Sequence, residues 1–279
     1  MVGIVVLNYV QYDETIRCVD SLLEQQNVDF HIAVVDNGSG NESFSVLYEK
    51  YKDAEKVEVV ETSKNLGFAK GMNYGINILL EKGCDFVFLA NSDLVFDGSD
   101  ILNKMVSSYE PGIGAICPAI RNTDGGQAVY ITFKDKWLYL RMLKTFINGT
   151  LKNFKRKRYT SSKPSAYREI EQTGLLTDRY IITGSGYMLT PAFFEHYPCL
   201  YPETFLGLEE YATIIYLKKS GLKTFMAKTE PIIHKHGAST PKDYKNDASI
   251  YRGAKKSGYS KIIKLFFMTE SGIKRKYER

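Results

Sequence analysis

Gly3-Ile4-Val5-Val6-Leu7, running straight into Asn8-Tyr9-Val10, decides the fold. So short a run, apolar at nearly every position, reads as a strand buried on both faces, as in a parallel sheet. Working outward, Asp13 is placed to cap a helix whose apolar positions Ile16, Val19, Leu22 and Leu23 recur at helical spacing. His31–Val35 predicts a second strand, closed by the turn cluster Asp36-Asn37-Gly38-Ser39. Ser43 to Tyr51 reads as a helix and Val57–Val60 as a third strand. Asn65-Leu66-Gly67-Phe68-Ala69-Lys70-Gly71-Met72-Asn73-Tyr74-Gly75 opens a helix reaching about Lys82, and Asp85–Leu89 is a fourth strand ending at Ala90-Asn91-Ser92-Asp93. Strands alternating with helices argue for an α/β fold with a mainly parallel central sheet. Past about residue 133 the pattern gives way to a basic, Tyr-rich stretch; it resumes around Ile181-Ile182-Thr183-Gly184 and from Phe205 to His236.

A chain of 279 residues can bury roughly three-quarters of its unfolded surface without a disulfide or metal staple. With 44% hydrophobic and 25% charged residues it is not collagen-like, low-complexity or intrinsically disordered. The total charge of +5 is unevenly spread: residues 1–133 carry −10, residues 134–179 carry +8 and residues 242–279 carry +7. An acidic half is a poor platform for a polyanion, so no nucleic-acid partner is expected. The runs Lys152-Asn153-Phe154-Lys155-Arg156-Lys157-Arg158-Tyr159 and Ser260-Lys261-Ile262-Ile263-Lys264-Leu265-Phe266-Phe267-Met268 suit an anionic membrane surface or an anionic lipid-linked substrate. Equally, they suit a solvated loop and a helix packed on the core. Cys18, Cys84, Cys117 and Cys199 form no CxxC pair and read as buried thiols in a reducing compartment. No apolar run approaches the ~20 residues that span a bilayer. Met1 leads into the first strand with no basic n-region or cleavage site, so the expected location is the cytoplasm, with peripheral contact at the inner face of the cell membrane.

Asn8, Asp36, Asn65 and Asp93 all fall at or just past strand ends, where open α/β sheets bind ligands. Each alone is an ordinary turn or cap residue, and Asp93 would serve as one ahead of Asp97-Gly98-Ser99. Four in register point to one crevice. No GxGxxG and no Walker pattern accompanies them, so neither a usual dinucleotide site nor a P-loop is indicated. Gly67, Gly71 and Gly75 would let a helix approach a strand or ligand closely, at about 1 kcal/mol each against alanine.

Together these segments resemble glycosyltransferase family 2, in particular its rhamnosyltransferase-like branch. The carriers are Val5-Val6-Leu7-Asn8-Tyr9, Val34-Val35-Asp36-Asn37-Gly38-Ser39, the Asn65–Gly75 stretch, Asn91-Ser92-Asp93, Glu209-Glu210 with Leu217-Lys218-Lys219-Ser220-Gly221, and His234 with Gly237-Ala238-Ser239. The resemblance covers about residues 1–125 and 180–241 and implies a GT-A fold, with a basic insertion at 134–179 and a basic C-terminal helical extension at 242–279. It also implies an inverting, metal-dependent transferase that moves a sugar from a UDP- or dTDP-sugar to a polysaccharide or lipid-linked oligosaccharide. Asp36 would then accept from the base N3–H, with Asn8, Tyr9, Asn65, Gly71, Asn73 and Asn91 around the nucleotide.

Asp93 matches the last position of the family's DxD-type motif, which holds Mn²⁺ or Mg²⁺ against the diphosphate; only one carboxylate is present here. His234 matches a late histidine that ligates metal or diphosphate, while His236, two residues on, stands where the family usually has a small residue and reads as structural. Glu209-Glu210 matches the pair that supplies the general base. Glu210 is favoured, with Glu209 as the alternative; otherwise the pair is the acidic first turn of a helix. Three departures stand out: Val10 where an asparagine is common, Ala212 in place of an acid and Tyr216 in place of a basic residue. Thr183-Gly184-Ser185-Gly186-Tyr187-Met188 matches the acceptor-side floor, where Tyr187 and Trp137 could stack on sugars, although aromatics more often fill cores. The rival readings are a nucleotide-sugar-binding subunit without activity and a nucleotidyltransferase. The second usually carries a Gly-rich, basic N-terminal loop, which Val5–Tyr12 lacks.

Overall fold

The computed structural model describes residues 1–123, 130–134, 140, 143, 144, 147, 179–235 and 248–278. In chain order the first half contains β1 (Val2–Asn8), α1 (Tyr12–Leu23), β2 (Phe30–Asp36), α2 (Ser43–Tyr51), β3 (Val57–Glu61), α3 (Phe68–Glu81), β4 (Phe86–Asn91), β5 (Leu94–Phe96), α4 (Ile101–Ser107), β6 (Ile113–Cys117) and β7 (Ile120–Asn122). Next come β8 (Tyr130–Lys134), β9 (Arg179–Thr183), β10 (Gly186–Leu189), α5 (Pro191–His196), α6 (Glu209–Ser220), β11 (Lys223–Met226), β12 (Ile232–His234), α7 (Ala248–Phe267) and α8 (Glu270–Tyr277).

β1 is interior to a seven-stranded sheet of order β3-β2-β1-β4-β10-β6-β11, parallel except at β10. That position explains its sequence: with a strand on each side and helices packed against it, Ile4, Val5 and Val6 are fully buried. β10, from the second half of the chain, lies between β4 and β6 of the first, so both halves share one sheet. β5, β12 and β7 form a smaller sheet, and β8 pairs antiparallel with β9 across the basic insertion.

The sequence alternation is borne out over the first four strands and three helices, with bounds moved by up to three residues. Asp13 does not cap α1; Gln11 takes that place without a side-chain bond, and Asp13 sits with Glu14 in the first turn, where the helix dipole favours acids. The three glycines serve packing. A Cβ on Gly71 would lie 2.7 Å from Leu7 Cδ1, and one on Gly75 2.6 Å from Val5 Cγ1. Gly67 precedes α3 at φ +82°, pressed against the Phe205 carbonyl. Cys18, Cys84 and Cys117 are buried free thiols and Cys199 is half-buried. The C-terminal helices join the core, with Ile262, Leu265 and Ile273 fully buried. Among the described residues no helix is long and apolar enough to cross a membrane.

Candidate active site

The ends of β4, β1, β2 and β3 make one rim, because the strands are parallel and in register; Asn8 stands opposite Asp36, and Leu7 opposite Asn91. Both Asn8 and Asp36 are the last residues of their strands and fully buried. Asp36 Oδ2 accepts from Asn8 Nδ2 at 2.7 Å and Ser39 Oγ at 2.8 Å, while Oδ1 accepts from Ser39 N at 2.9 Å. Thr15 Oγ1 donates to Asn8 Oδ1 at 2.6 Å, fastening α1 to the same knot. Asn37 extends the network to the next loop, donating to Asn65 Oδ1 at 3.2 Å and accepting from Leu66 N at 3.0 Å. Asn65 Oδ1 also takes Gly67 N at 2.8 Å. Asn8, Asp36 and Asn65 thus brace one wall of the crevice from within, and half-buried Tyr9 follows at its mouth.

Two further residues placed near the nucleotide by resemblance make structural contacts. Asn73 donates to Leu200 O at 2.9 Å and accepts from Leu200 N at 2.8 Å, tying α3 to the segment before α6. Gly71 faces Leu7 and Asn37.

At the other flank, antiparallel pairing of β5 with β12 sets Leu94 opposite His234, and Lys235 N donates to Asp93 O at 3.0 Å. This backbone register brings His234 Nε2 to 3.3 Å from Asp93 Oδ1, with the Asp93 side chain 1% and the His234 side chain 8% exposed. His234 Nδ1 lies 3.4 Å from Ser185 Oγ, in the turn between β9 and β10. Asn91 N donates to Ser185 O at 3.0 Å, binding that turn to the end of β4.

Glu209 and Glu210 open α6, and the Glu210 carboxylate covers the neighbouring turn residue Gly184, where any Cβ would collide with its Oε1. Glu210 therefore stands beside Gly184, and the Asp93–His234 pair beside Ser185. Glu209 is buried, and its Oε1 has no hydrogen-bond partner among the described residues. Burial first, and the charge of Glu210 second, push its carboxyl up to about 8. Burial and the neighbouring carboxylate both favour the neutral form of Glu209. The residue before them, Leu208, is held at φ +95°, and Gly207 at φ +74°.

Among the described residues no group of three or more His, Cys, Asp or Glu side chains could hold a metal ion. Asp93 and His234 offer one carboxylate and one imidazole together, which fits a hard divalent cation that takes its remaining ligands from phosphate oxygens and water. Tyr187 is buried with its hydroxyl 3.0 Å from Thr213 Oγ1, so it fills core and is no sugar platform. Trp137, His236, Gly237-Ala238-Ser239 and most of the 134–179 insertion lie outside the described residues. Sequence reasoning left Thr15 without a role and read Ser185 only as floor. No spacing rule marks them, because each acts through a contact between segments distant in sequence.

The family model described as Glycosyl transferase family 2 matches residues 2–170. Among curated proteins none matches. The fold is similar to the crystal structure of S. aureus TarS 1-349 in complex with UDP, with TM-score 0.56 and 13% identity over 95% of this chain and 70% of that one. It is also similar to a crystal structure of S. aureus TarS with TM-score 0.58 and 13% identity, again over 95% of this chain but 42% of the other, so this chain spans less than half of that TarS.

Proposed function

The chain belongs to glycosyl transferase family 2 and is a glycosyltransferase of GT-A fold; from that premise we propose an inverting transfer of one sugar from a pyrimidine nucleoside-diphosphate donor to a glycan or lipid-linked acceptor. The observation that carries this reading is that Glu210 stands beside Gly184 while the Asp93–His234 pair stands beside the adjacent Ser185. The nucleoside lies along the wall braced by Asn8, Asp36 and Asn65, beside Tyr9 and Asn91. Asp36 is fully buried and already accepts three hydrogen bonds, so a base N3–H reaches it only by opening the Ser39 turn. The UDP in the TarS complex is a reason to test uridine donors first.

Glu210 takes the proton of the acceptor hydroxyl as that oxygen attacks the anomeric carbon from the face opposite the diphosphate. The new glycosidic bond forms as the bond from carbon to diphosphate oxygen breaks, inverting the centre. Asp93 and His234 would hold Mn²⁺ or Mg²⁺, whose chemistry here is to neutralise charge on the departing diphosphate. Neutral Glu209 keeps the pair from carrying two like charges. Peripheral contact with an anionic membrane, through the basic segments, would bring a lipid-linked acceptor to the site.

Thermal shifts with UDP, dTDP, GDP and CMP, with and without Mn²⁺, test the donor site. A nucleotide at 100 times its Kd adds about 2.7 kcal/mol. Stabilisation by one pyrimidine diphosphate, dependent on Mn²⁺ and lost in Asp93→Ala, is expected; no shift with any nucleotide overturns the assignment. Release of nucleoside diphosphate from UDP- and dTDP-sugars should fall roughly 10²–10⁴-fold in Glu210→Gln. Nucleotide binding without turnover, indifferent to that change, would instead mark an inactive nucleotide-sugar-binding subunit, the reading suggested by the single carboxylate at Asp93 and by Ala212 in place of an acid.

A further inference from the structure

We infer that the C-terminal helix α7 positions the catalytic carboxylate by clamping Leu208 in its left-handed conformation; this rests on the reading of Glu210 as the base. A leucine at φ +95° is strained, and such residues persist only where the surroundings over-determine them. Here the surroundings are specific. The Leu208 side chain is buried against Gly258 of α7, so closely that a Cβ on Gly258 would lie 3.0 Å from Leu208 Cδ1. α7 is itself anchored just C-terminal to that contact. Tyr201 OH donates to Lys261 O at 2.9 Å, Lys219 Nζ donates to Phe266 O at 3.0 Å, and Ile262 and Leu265 are fully buried.

The same loop is also held by α3, where Phe68 N donates to Phe205 O at 2.7 Å. Segment 205–208 is therefore strung between α3, which begins at the nucleotide wall, and α7. Leu208 is the residue immediately before the Glu209-Glu210 turn, and its side chain makes no capping bond. With no cap to fix where α6 starts, the Leu208 backbone sets the direction in which the Glu210 carboxylate leaves the chain. A shift of about 1 Å in such a group costs on the order of 10²-fold in rate. Leu208 and Gly258 are positioning residues; neither is placed at the reacting atoms.

The test compares full-length wild type with Leu208→Gly, Gly258→Ala and Leu208→Met. Glycine accepts the left-handed backbone but removes the clamped side chain. Alanine improves helix propensity while intruding on Leu208. Methionine keeps the packed volume. Two readouts are taken: hydrogen–deuterium exchange over residues 205–215, and kcat and KM for nucleoside-diphosphate release from UDP-glucose, UDP-N-acetylglucosamine and dTDP-rhamnose. Expected are faster exchange in Leu208→Gly, a fall in kcat of roughly 10- to 100-fold with donor KM little changed, a smaller fall in Gly258→Ala, and recovery in Leu208→Met. Unchanged exchange in Leu208→Gly overturns the clamp. Faster exchange with unchanged kcat overturns the positioning. Wild type that turns over no donor sinks the proposed function, while the exchange readout still decides whether the clamp exists.

Discussion

At φ +70° Val10 combines a β-branched side chain with the left-handed region, where such residues are genuine outliers. The loop holds it there by two bonds, Val10 N to Ser39 Oγ at 2.8 Å and Asn41 Nδ2 to Val10 O at 3.1 Å. Asparagine, the residue the family resemblance implies here, enters this region readily. Val10→Asn should therefore stabilise the chain by about 1 kcal/mol, raising Tm by roughly 2–4 °C in a melt followed by circular dichroism; a lower Tm would refute the strain argument. Glu209 makes the second prediction at this scale. Its folded-state value lies above its unfolded one, so its contribution to stability is full below about pH 4.5 and is lost as pH rises through about 8. Glu209→Gln removes that penalty. The Tm advantage of the variant over wild type should widen steadily between these limits, and a gap independent of pH would show that Glu209 ionises normally.

Helix α6 shows how two departures from a family pattern account for each other. Ala212 and Tyr216 are one turn apart and both 1% exposed. An acid and a basic residue at such positions would be a buried pair, whose desolvation often cancels its attraction; an apolar pair leaves no orphaned charge. Tyr216 stacks on Tyr197 with centroids 4.1 Å apart, and the Tyr197 hydroxyl donates to Tyr216 O at 2.9 Å. Restoring only the basic residue, Tyr216→Arg, should cost more than about 3 kcal/mol and yield little soluble protein; normal expression with an unchanged melt would contradict this burial. α3 gives the opposite lesson about legibility. Its glycines were readable as close packing because spacing alone puts Gly71 and Gly75 on one face. Gly75→Ala gains about 1 kcal/mol of helix propensity but sets a methyl 2.6 Å from Val5 Cγ1, an overpacking cost of about 1–3 kcal/mol. A net loss in urea unfolding is expected, and a gain would mean that the helix shifts freely. The conformation of Leu208 had no such spacing signal, because it is imposed by α7, fifty residues away along the chain.

Across the whole molecule, what was legible is what periodicity controls. The parallel strands, their order of appearance and the rim of Asn and Asp at their ends follow from short apolar runs ending in those residues. β6, with all five residues buried, and β10, antiparallel between β4 and β6, escaped because one reads as any apolar segment and the other gains its place only when distant halves meet. The tail was the most ambiguous stretch, since lysines beside apolar residues serve a membrane surface and a packed helix alike. Both tail helices have a packed side: Ile262 and Leu265 of α7 and Ile273 of α8 are fully buried, while Phe267 is 76% exposed. Three such side chains contribute roughly 5–9 kcal/mol, comparable with the entire stability of an ordinary domain, about 5–15 kcal/mol. Polar contacts add attachment at the far end, a hydrogen bond between His196 and Glu270 at 2.6 Å and an ion pair between Glu203 and Lys276 at 2.9 Å, although such exposed contacts count for little. A chain ending at Asp247 should consequently lose its cooperative thermal transition or aggregate, as read by circular dichroism and size-exclusion chromatography. A cooperative melt within a few degrees of the full chain would show instead that α7 and α8 are an appendage and that the sheet and α6 hold themselves.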